Sequence, residues 1–488
     1  MVRKIPSLSL VILLILAFGL RLPLLNGSFW LDEAAQALES VRPFSQQLDI
    51  ANDFQPPLMH LLLHFATYLG TTEWWLRLWG ALIPGMLTIF FVWKIGTKHF
   101  SAKAGLLAGI LLATSSLHVF YSQELRPYAL PALIAVLGWW LVLRKKSERE
   151  KTWGAKLGLV TALGLYSSYL YPFAALGQFA FLIWKKTEWR SLLTAFTITT
   201  LLCLPWLPFF LEQLRIGEEL REALPGWESV VSTPQIQAIA MIGAKFIFGI
   251  LPVDVLNWHT AVALILITLT LHIWWRVYHK PEVRAATTLF IFWVVVPIFA
   301  AWLVSFLVPV LQPKRVLFSL PGLYLFLATL ITHRSVQKKV ALVLASILLF
   351  LNLFGLYQYY TQPNLQREDW RRLHQTITTD FPVDSVVIMA FPEAFAPWVW
   401  YNRNDFPTLA SGTIYLHDKA QIEPVIKQAY DNYNHVIVFE YLQDLTDPDR
   451  LINQTIIEFG YKESTLYDGG PIGFVRVYSQ PSSVLSYY

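Results

Sequence analysis

The sequence is poor in charge and nearly devoid of cysteine. Only 15% of its 488 residues are Asp, Glu, Lys or Arg, against roughly 25% in soluble globular chains. That deficit excludes an ordinary water-soluble enzyme, and the high apolar content excludes a disordered chain. The lone cysteine, Cys203, lies in an apolar run, which excludes a disulfide scaffold and a thiolate metal cluster. There is no Gly-rich phosphate loop, no internal repeat and no low-complexity stretch. No basic run outside the apolar segments is interleaved with stacking aromatics, so nucleic acid is excluded as a partner despite a net charge of +5 and an isoelectric point near 9.0.

What remains is apolar: 55% hydrophobic and 15% aromatic residues, with mean hydropathy +0.46. A helix spanning the hydrocarbon core needs about 20 mostly apolar residues. Runs of this kind occupy 7–25, 75–95, 104–121, 127–143, 154–170, 171–184, 191–211, 258–277, 287–310, 315–332 and 338–358. A weaker twelfth, 236–251, is interrupted by Lys245 and reads as an interfacial or re-entrant helix. Arg3 and Lys4 precede the first run as they would in a secretory signal, but no small-x-small cleavage site follows, so it is read as a retained span. The fold class is thus a polytopic α-helical membrane protein of 11–12 spans.

Lys and Arg set orientation. With the N-terminus inside, the cytoplasmic connections carry Lys94, Lys98 and Lys103, then RKKSEREK (144–151), KKTEWR (185–190), RVYHKPEVR (276–284) and HRSVQKK (333–339). Their acids are only Glu148, Glu150, Glu188 and Glu282, whereas the opposite loops are acid-rich. Eleven spans then place the C-terminal region outside. That region changes character: strand-length runs at 385–391, 435–442 and 473–479 alternate with helical patterns at 366–379, 420–433 and 449–459. It reads as a small α/β extracytoplasmic domain, 361–488, following a membrane domain, 1–360.

Ionisable residues at a membrane face are functional candidates, and here they gather on the outer side. The first outer loop, 26–74, opens with FWLDEAAQALES, placing Asp32 and Glu33 at the start of an amphipathic helix. A helix N-terminus favours acids there in any case, so a cap accounts for them as well as catalysis does. Pro56 and Pro57 start a second helix that carries His60 and His64 at i, i+4. The spacing suits a metal pair; two interfacial histidines explain it more simply, so a divalent metal is conceivable but not a fixed requirement. The second outer loop offers Glu124 and Arg126, either a structural ion pair or site residues. Lys314 and Arg315, in LQPKRVLFSLPGL (311–323), are cations on the side the positive-inside bias disfavours. An anionic ligand supplies a reason for them. A carboxylate to take a proton and cations to hold a leaving phosphate are the parts that transfer from a phosphate-linked lipid needs.

At these residues the sequence resembles the GT-C superfamily of membrane glycosyltransferases, nearest the family-39-like type of protein O-mannosyltransferases and lipid A aminoarabinose transferases. The matching pieces are Asp32-Glu33, the Pro56-Pro57 helix, SQELRPYAL (122–130), KRVLFSLPGL (314–323) and REDWRRL (367–373). The resemblance implies a GT-C fold and an inverting transfer from a polyprenyl-phosphate sugar to a lipid, glycan or protein acceptor at the outer face of a cell membrane. It implies Asp32 as the general base, with Glu33 beside it, and Arg126, Lys314 and Arg315 as the donor-phosphate contacts. Glu124, Gln55 and His60 would support them. Two departures stand out: Gln55 where relatives often carry His or Lys before Pro-Pro, and GLYSSYLYPF (164–173), which lacks a His common in bacterial members. A transporter or flippase of lipid-linked sugars, or a membrane scaffold, is the alternative. Transporters usually place charge at mid-membrane between repeated halves, and a scaffold leaves the acid and base pairs without a purpose.

The orientation is testable. A reporter active only outside the cytoplasm, fused after Tyr488, should give full signal, and a reporter active only in the cytoplasm should give none. The reverse pattern would overturn the assigned topology.

Overall fold

A computed structural model describes residues 7–50, 53–144, 151–224, 235–253, 258–308, 311–381, 384–403 and 406–481. Arg3, Lys4 and most of the 144–151 basic run lie outside the described residues. The chain divides into two compact units. One comprises residues 1–26, 42–214 and 231–365, the other 27–41, 215–230 and 366–488. The first-loop helix Leu31–Ser40, which the sequence reading placed in the membrane domain, therefore belongs to the same unit as the C-terminal region.

The first unit is helical. Among the described residues six helices are long and apolar enough to cross a membrane: Glu73–His99, Trp189–Ala223, Trp258–Val277, Pro281–Val304, Pro313–Thr332 and Lys338–Thr361. Seven shorter apolar helices accompany them, including Ala102–Thr114, Ala129–Val142, Trp153–Leu165 and Tyr171–Trp184. Burial ranks the long ones. The most apolar stretch of Pro313–Thr332 is 83% buried and that of Trp258–Val277 only 17%, so the first is central and the second peripheral. Exposed apolar side chains such as Ile15, Phe196, Trp275 and Leu342 cover the periphery, as a lipid-facing surface requires.

The run read as one helix over 104–121 is broken: Ala102–Thr114 ends at Ser115, which caps a new turn, Ser116–Tyr121, by accepting from the His118 N–H. Lys245, the interruption in the weaker run, ends the helix Gln235–Phe248 in a specific way. Its ammonium donates to the carbonyls of Ile250 and Leu251 at 3.3 and 2.7 Å, the usual service of a cation at a helix C-terminus.

Helices Ile83–His99 and Ala102–Thr114 pack backbone to backbone through Gly96 and Gly105. A Cβ on Gly96 would lie 2.6 Å from the Gly105 Cα, and one on Gly105 2.6 Å from the Trp93 carbonyl oxygen. Small residues allow this approach between helices in lipid.

The second unit contains a five-stranded sheet: β1 (Ser385–Met389), β2 (Thr408–Ala410), β3 (His435–Phe439), β4 (Lys462–Asp468) and β5 (Phe474–Ser479), in the order β2-β1-β3-β5-β4. β2, β1 and β3 are parallel; β5 and β4 turn antiparallel. Every residue of β1 and β3 is buried, because both faces are covered, as parallel strands demand. One face packs on Trp370, Leu373 and Ile377 of helix Trp370–Asp380, the other on Ile426 and Ala429 of Glu423–Asn432 and on Ile452 and Ile456 of Leu451–Glu458. The three strands and three helices read from the sequence are present at those positions. β2 and β4 are additional.

Substituting Gly105 tests the glycine contact. Gly105→Val should destabilise by about 1–3 kcal/mol, the range for overpacking, seen as a lower melting temperature in detergent. An unchanged melting temperature would show that the two helices can separate freely there.

Candidate functional site

In the second unit, chemistry gathers where the chain enters helix Leu31–Ser40. Trp30 precedes the helix in an extended conformation and offers no side-chain cap. The segment Arg367–Arg371 supplies one. The Glu368 carboxylate accepts the backbone N–H of Leu31, the first of the helix, together with the Trp370 indole N–H at 2.7 Å and the Tyr441 hydroxyl at 2.9 Å. Nearby, the Arg371 N–H donates to the Ser28 hydroxyl at 3.1 Å, and the Phe29 N–H to the Tyr401 hydroxyl at 2.7 Å. Leu31 packs against the core that holds Trp370, Phe395 and Tyr441. Glu33 is fully buried, with the Arg367 Nε 3.7 Å from its Oε2. Four neighbouring residues, Ser28, Phe29, Leu31 and Glu33, are thereby fastened, and half-buried Asp32 sits among them.

Burial pushes the Glu368 carboxyl above its ordinary range; its three hydrogen bonds pull it down, the charge of Asp32 pushes it up again, and the net direction is up. The charge of Asp32 thus favours the protonated form of Glu368.

In the first unit the loop before helix Leu58–Thr67 carries a second constellation. Asp53 Oδ2 lies 3.0 Å from His60 Nε2, and Asp53 Oδ1 lies 3.5 Å from Arg126 Nη1. The Gln55 amide donates to the same carboxylate and lies 3.1 Å from His60 Nε2. Burial works against this aspartate's charge, but Arg126, His60 and Gln55 outweigh it and hold the carboxyl well below its usual range. The loop is positioned by Gln213, whose amide donates to the carbonyls of Ile50, Asp53 and Gln55 at 2.7, 3.2 and 3.3 Å. Tyr169, from the GLYSSYLYPF segment, donates to the Gln213 side-chain oxygen.

The structure thus joins Arg126, Gln55 and His60 around Asp53. It separates the two histidines: His64 Nε2 bonds the Tyr68 hydroxyl at 3.0 Å, and its ring sits among Phe44, Phe65 and Tyr68. The two histidines thus bond different partners, Asp53 and Gln55 for His60 and Tyr68 for His64. Lys314 lies 5.6 Å from the ring of Tyr128, two residues along from Arg126. Arg315 is its half-buried neighbour in the turn Pro313–Ser319, and Glu124 is buried in the loop with Arg126.

Several residues escaped the sequence reading. Asp53 was one acid among many in its loop, and Glu368, Arg367 and Tyr441 carry no local signal of partnership with residues 28–33. Arg21 did carry one, a cation at the end of an apolar run. It is fully buried, bonding the Ala17 and Ala113 carbonyls and His118 Nδ1 at 2.8, 3.1 and 2.7 Å.

Residues 54–210 match the family model described as dolichyl-phosphate-mannose-protein mannosyltransferase. Solved structures match nearly the whole chain. The chain has the GT-C fold. ArnT from Cupriavidus metallidurans, bound to undecaprenyl phosphate, is 12% identical with a TM-score of 0.57, covering 97% of this chain and 98% of that one. The oligosaccharyltransferase of Archaeoglobus fulgidus, in complex with Zn and sulfate, is 14% identical with a TM-score of 0.53, covering 97% and 73%. The archaeal oligosaccharyltransferase AglB from the same organism, with an inhibitory peptide and a dolichol-phosphate, is 12% identical with a TM-score of 0.52, covering 97% and 74%. No curated protein sequence matches. Within the GT-C architecture the shared element is the scaffold; the side chains described above belong to this chain.

Glu368→Ala would leave three buried donors without an acceptor. It should cost about 1–3 kcal/mol per unsatisfied donor, with a large fall in melting temperature, while Glu368→Gln, which retains an acceptor oxygen, should fall less. Equal melting temperatures for both variants and the wild type would show that the carboxylate does not hold the Leu31–Ser40 helix start.

Proposed function

We propose that this protein is a glycosyltransferase of the outer membrane face, moving a sugar from a polyprenyl-phosphate donor to an acceptor hydroxyl with inversion. The observation that carries this reading is the fastening of the Asp32 segment: four residues around one carboxylate are held in place, as a positioned catalytic base requires. The fold and the polyprenyl phosphates named with the ArnT and AglB structures support the donor class.

The steps follow from the chemistry. The acceptor oxygen attacks the anomeric carbon from the side opposite the phosphate. Asp32 takes the hydroxyl proton as the new C–O bond forms. The bond from the anomeric carbon to the phosphate oxygen breaks, and its electron pair leaves on the lipid phosphate, which needs no general acid because it is a stable anion. Lys314 and Arg315 hold that phosphate by charge-assisted contacts. Arg126 shares its charge with Asp53, so its part is to orient the donor's surroundings as well as to attract the phosphate. Glu33, held by Arg367, fixes the helix that carries the base. Asp53 and His60 are the ligand-type pair of the first unit, and the guanidinium beside Asp53 already compensates its charge; a divalent ion would compete with Arg126 for that carboxylate, so no step is assigned to metal. The acceptor is a lipid, a glycan or a protein. The site belongs to a multi-pass protein of the cell membrane, with its N-terminus inside and the α/β unit outside.

Asp32→Asn separates base from scaffold. With saturating polyprenyl-phosphate sugar, turnover should fall about 10²–10⁴-fold while donor binding and melting temperature stay at wild-type values. In the same assay Arg315→Ala should raise the donor KM about tenfold or more, since one charge-assisted phosphate contact is worth roughly 1.5–3 kcal/mol. Wild-type turnover in Asp32→Asn would reject the base, and lost turnover with unchanged donor KM in Arg315→Ala would reject the phosphate contact.

A further inference from the structure

The proposed reaction leaves two basic connections without a role, RKKSEREK (144–151) and KKTEWR (185–190). The fold brings their described residues together around a cavity of about 620 Å³. Arg144 and Lys151 line it from one connection, Lys185 and Lys186 from the other. Among the described residues Glu188 is the one acid in the lining, and Trp153 and Phe181 form an aromatic wall. Helices Trp153–Leu165 and Trp189–Cys203 begin here, while Ala129–Val142 and Tyr171–Trp184 end here. Two positive and two negative helix ends offset each other, so the side chains decide the sign of the cavity: among the described lining residues, four cations against one acid.

The positive-inside bias explains why these connections are basic. It does not explain a concavity between them or the conformation of Lys186. This residue sits at φ 52° in the left-handed region, where a helix usually ends on glycine. Its N–H bonds the Ile183 carbonyl at 2.9 Å, and the following Thr187 N–H bonds the Leu182 carbonyl at 3.0 Å. These two backbone hydrogen bonds hold the turn and so fix where the Lys186 side chain starts. Lys185 is set beside it, 4.5 Å from the Trp184 ring and 5.6 Å from Phe181.

The surroundings identify the ligand class. Trp184 and Trp189, next in sequence to the lining residues Lys185 and Glu188, are 52% and 65% exposed, and exposed tryptophans mark the headgroup level of a bilayer. A ligand here meets cations on one side and aromatic carbon on the other. We propose that this cavity is a binding site for the phosphate headgroup of an anionic phospholipid, on the face that the Lys/Arg alternation assigns to the cytoplasm. Basic pockets between spans on that face suit such headgroups. The site lies wholly within the helical unit, and it stands whether or not Asp32 is the base.

The test uses full-length protein in phosphatidylcholine nanodiscs titrated with phosphatidylglycerol, with bound lipid counted by native mass spectrometry. The Lys151→Gln/Lys185→Gln/Lys186→Gln variant should bind phosphatidylglycerol about tenfold to a hundredfold more weakly. The melting temperature should hold, because the three side chains are surface groups, and Lys185→Arg/Lys186→Arg should keep wild-type binding. Lys98→Gln/Lys103→Gln, which removes two cations elsewhere, should leave it intact. Inorganic phosphate at millimolar concentration should not displace the lipid. Equal retention by the triple variant, or equal loss in the Lys98/Lys103 control, would overturn the site. Displacement by inorganic phosphate would overturn its assignment to lipid.

Discussion

One hydrogen-bonded carboxylate organises the Asp32 region. Glu368 receives the first N–H of helix Leu31–Ser40, an indole N–H and a tyrosine hydroxyl. A helix start has four backbone donors without internal partners, and a cap normally comes from the residue just before. Here Trp30 cannot provide one, and an acid more than three hundred residues later does. The helix start is therefore stable only when the α/β unit is folded. This ties a loop next to the first span to a C-terminal unit of quite different composition, and it gives that unit a structural purpose besides its own stability.

The Asp53 constellation works by the opposite logic. Its carboxylate is neutralised by Arg126, His60 and Gln55, so it stays ionised down to acid pH. Its folded-state pKa is depressed, so its contribution to stability is present above the unfolded aspartate pKa and fades as pH falls through the lower folded value. Glu368 shifts the other way because burial and the charge of Asp32 outweigh its hydrogen bonds, whereas at Asp53 the cation Arg126 tips the balance down. The chain thus contains one carboxylate held well below its ordinary range and another pushed above it, each set by its own surroundings.

The sequence made the helical unit legible because lipid demands long apolar runs, and Pro313–Thr332, Lys338–Thr361 and Trp258–Val277 follow the runs read there almost residue for residue. It also revealed β1, β3 and β5, whose apolar residues are confined to strand-length stretches. β4, Lys-Glu-Ser-Thr-Leu-Tyr-Asp, was hidden because it is exposed along nearly its whole length and so carries no hydrophobic run. β2 is three residues long, below any pattern's reach. For the candidate site, spacing drew attention to Asp32, Glu33, Arg126, Lys314 and Arg315. For His60 and His64 the shared helical spacing left the partners open, because it says nothing about which loops pack against each side chain; Asp53 and Gln55 meet His60, and Tyr68 meets His64. The grip of Arg367–Arg371 on residues 28–33 was out of reach for a related reason: a contact across that separation leaves no periodic trace.

The sheet's two borders carry a consequence for life in a crowded membrane. A sheet margin with open backbone donors and acceptors invites a neighbour's strand. One margin here, β2, is only three residues long, and the other, β4, presents Lys462, Glu463 and Asp468. Copies diffusing side by side in two dimensions meet one another far more often than they would in bulk water. A stub at one margin and charges at the other let them collide repeatedly without zipping their sheets into a shared ribbon.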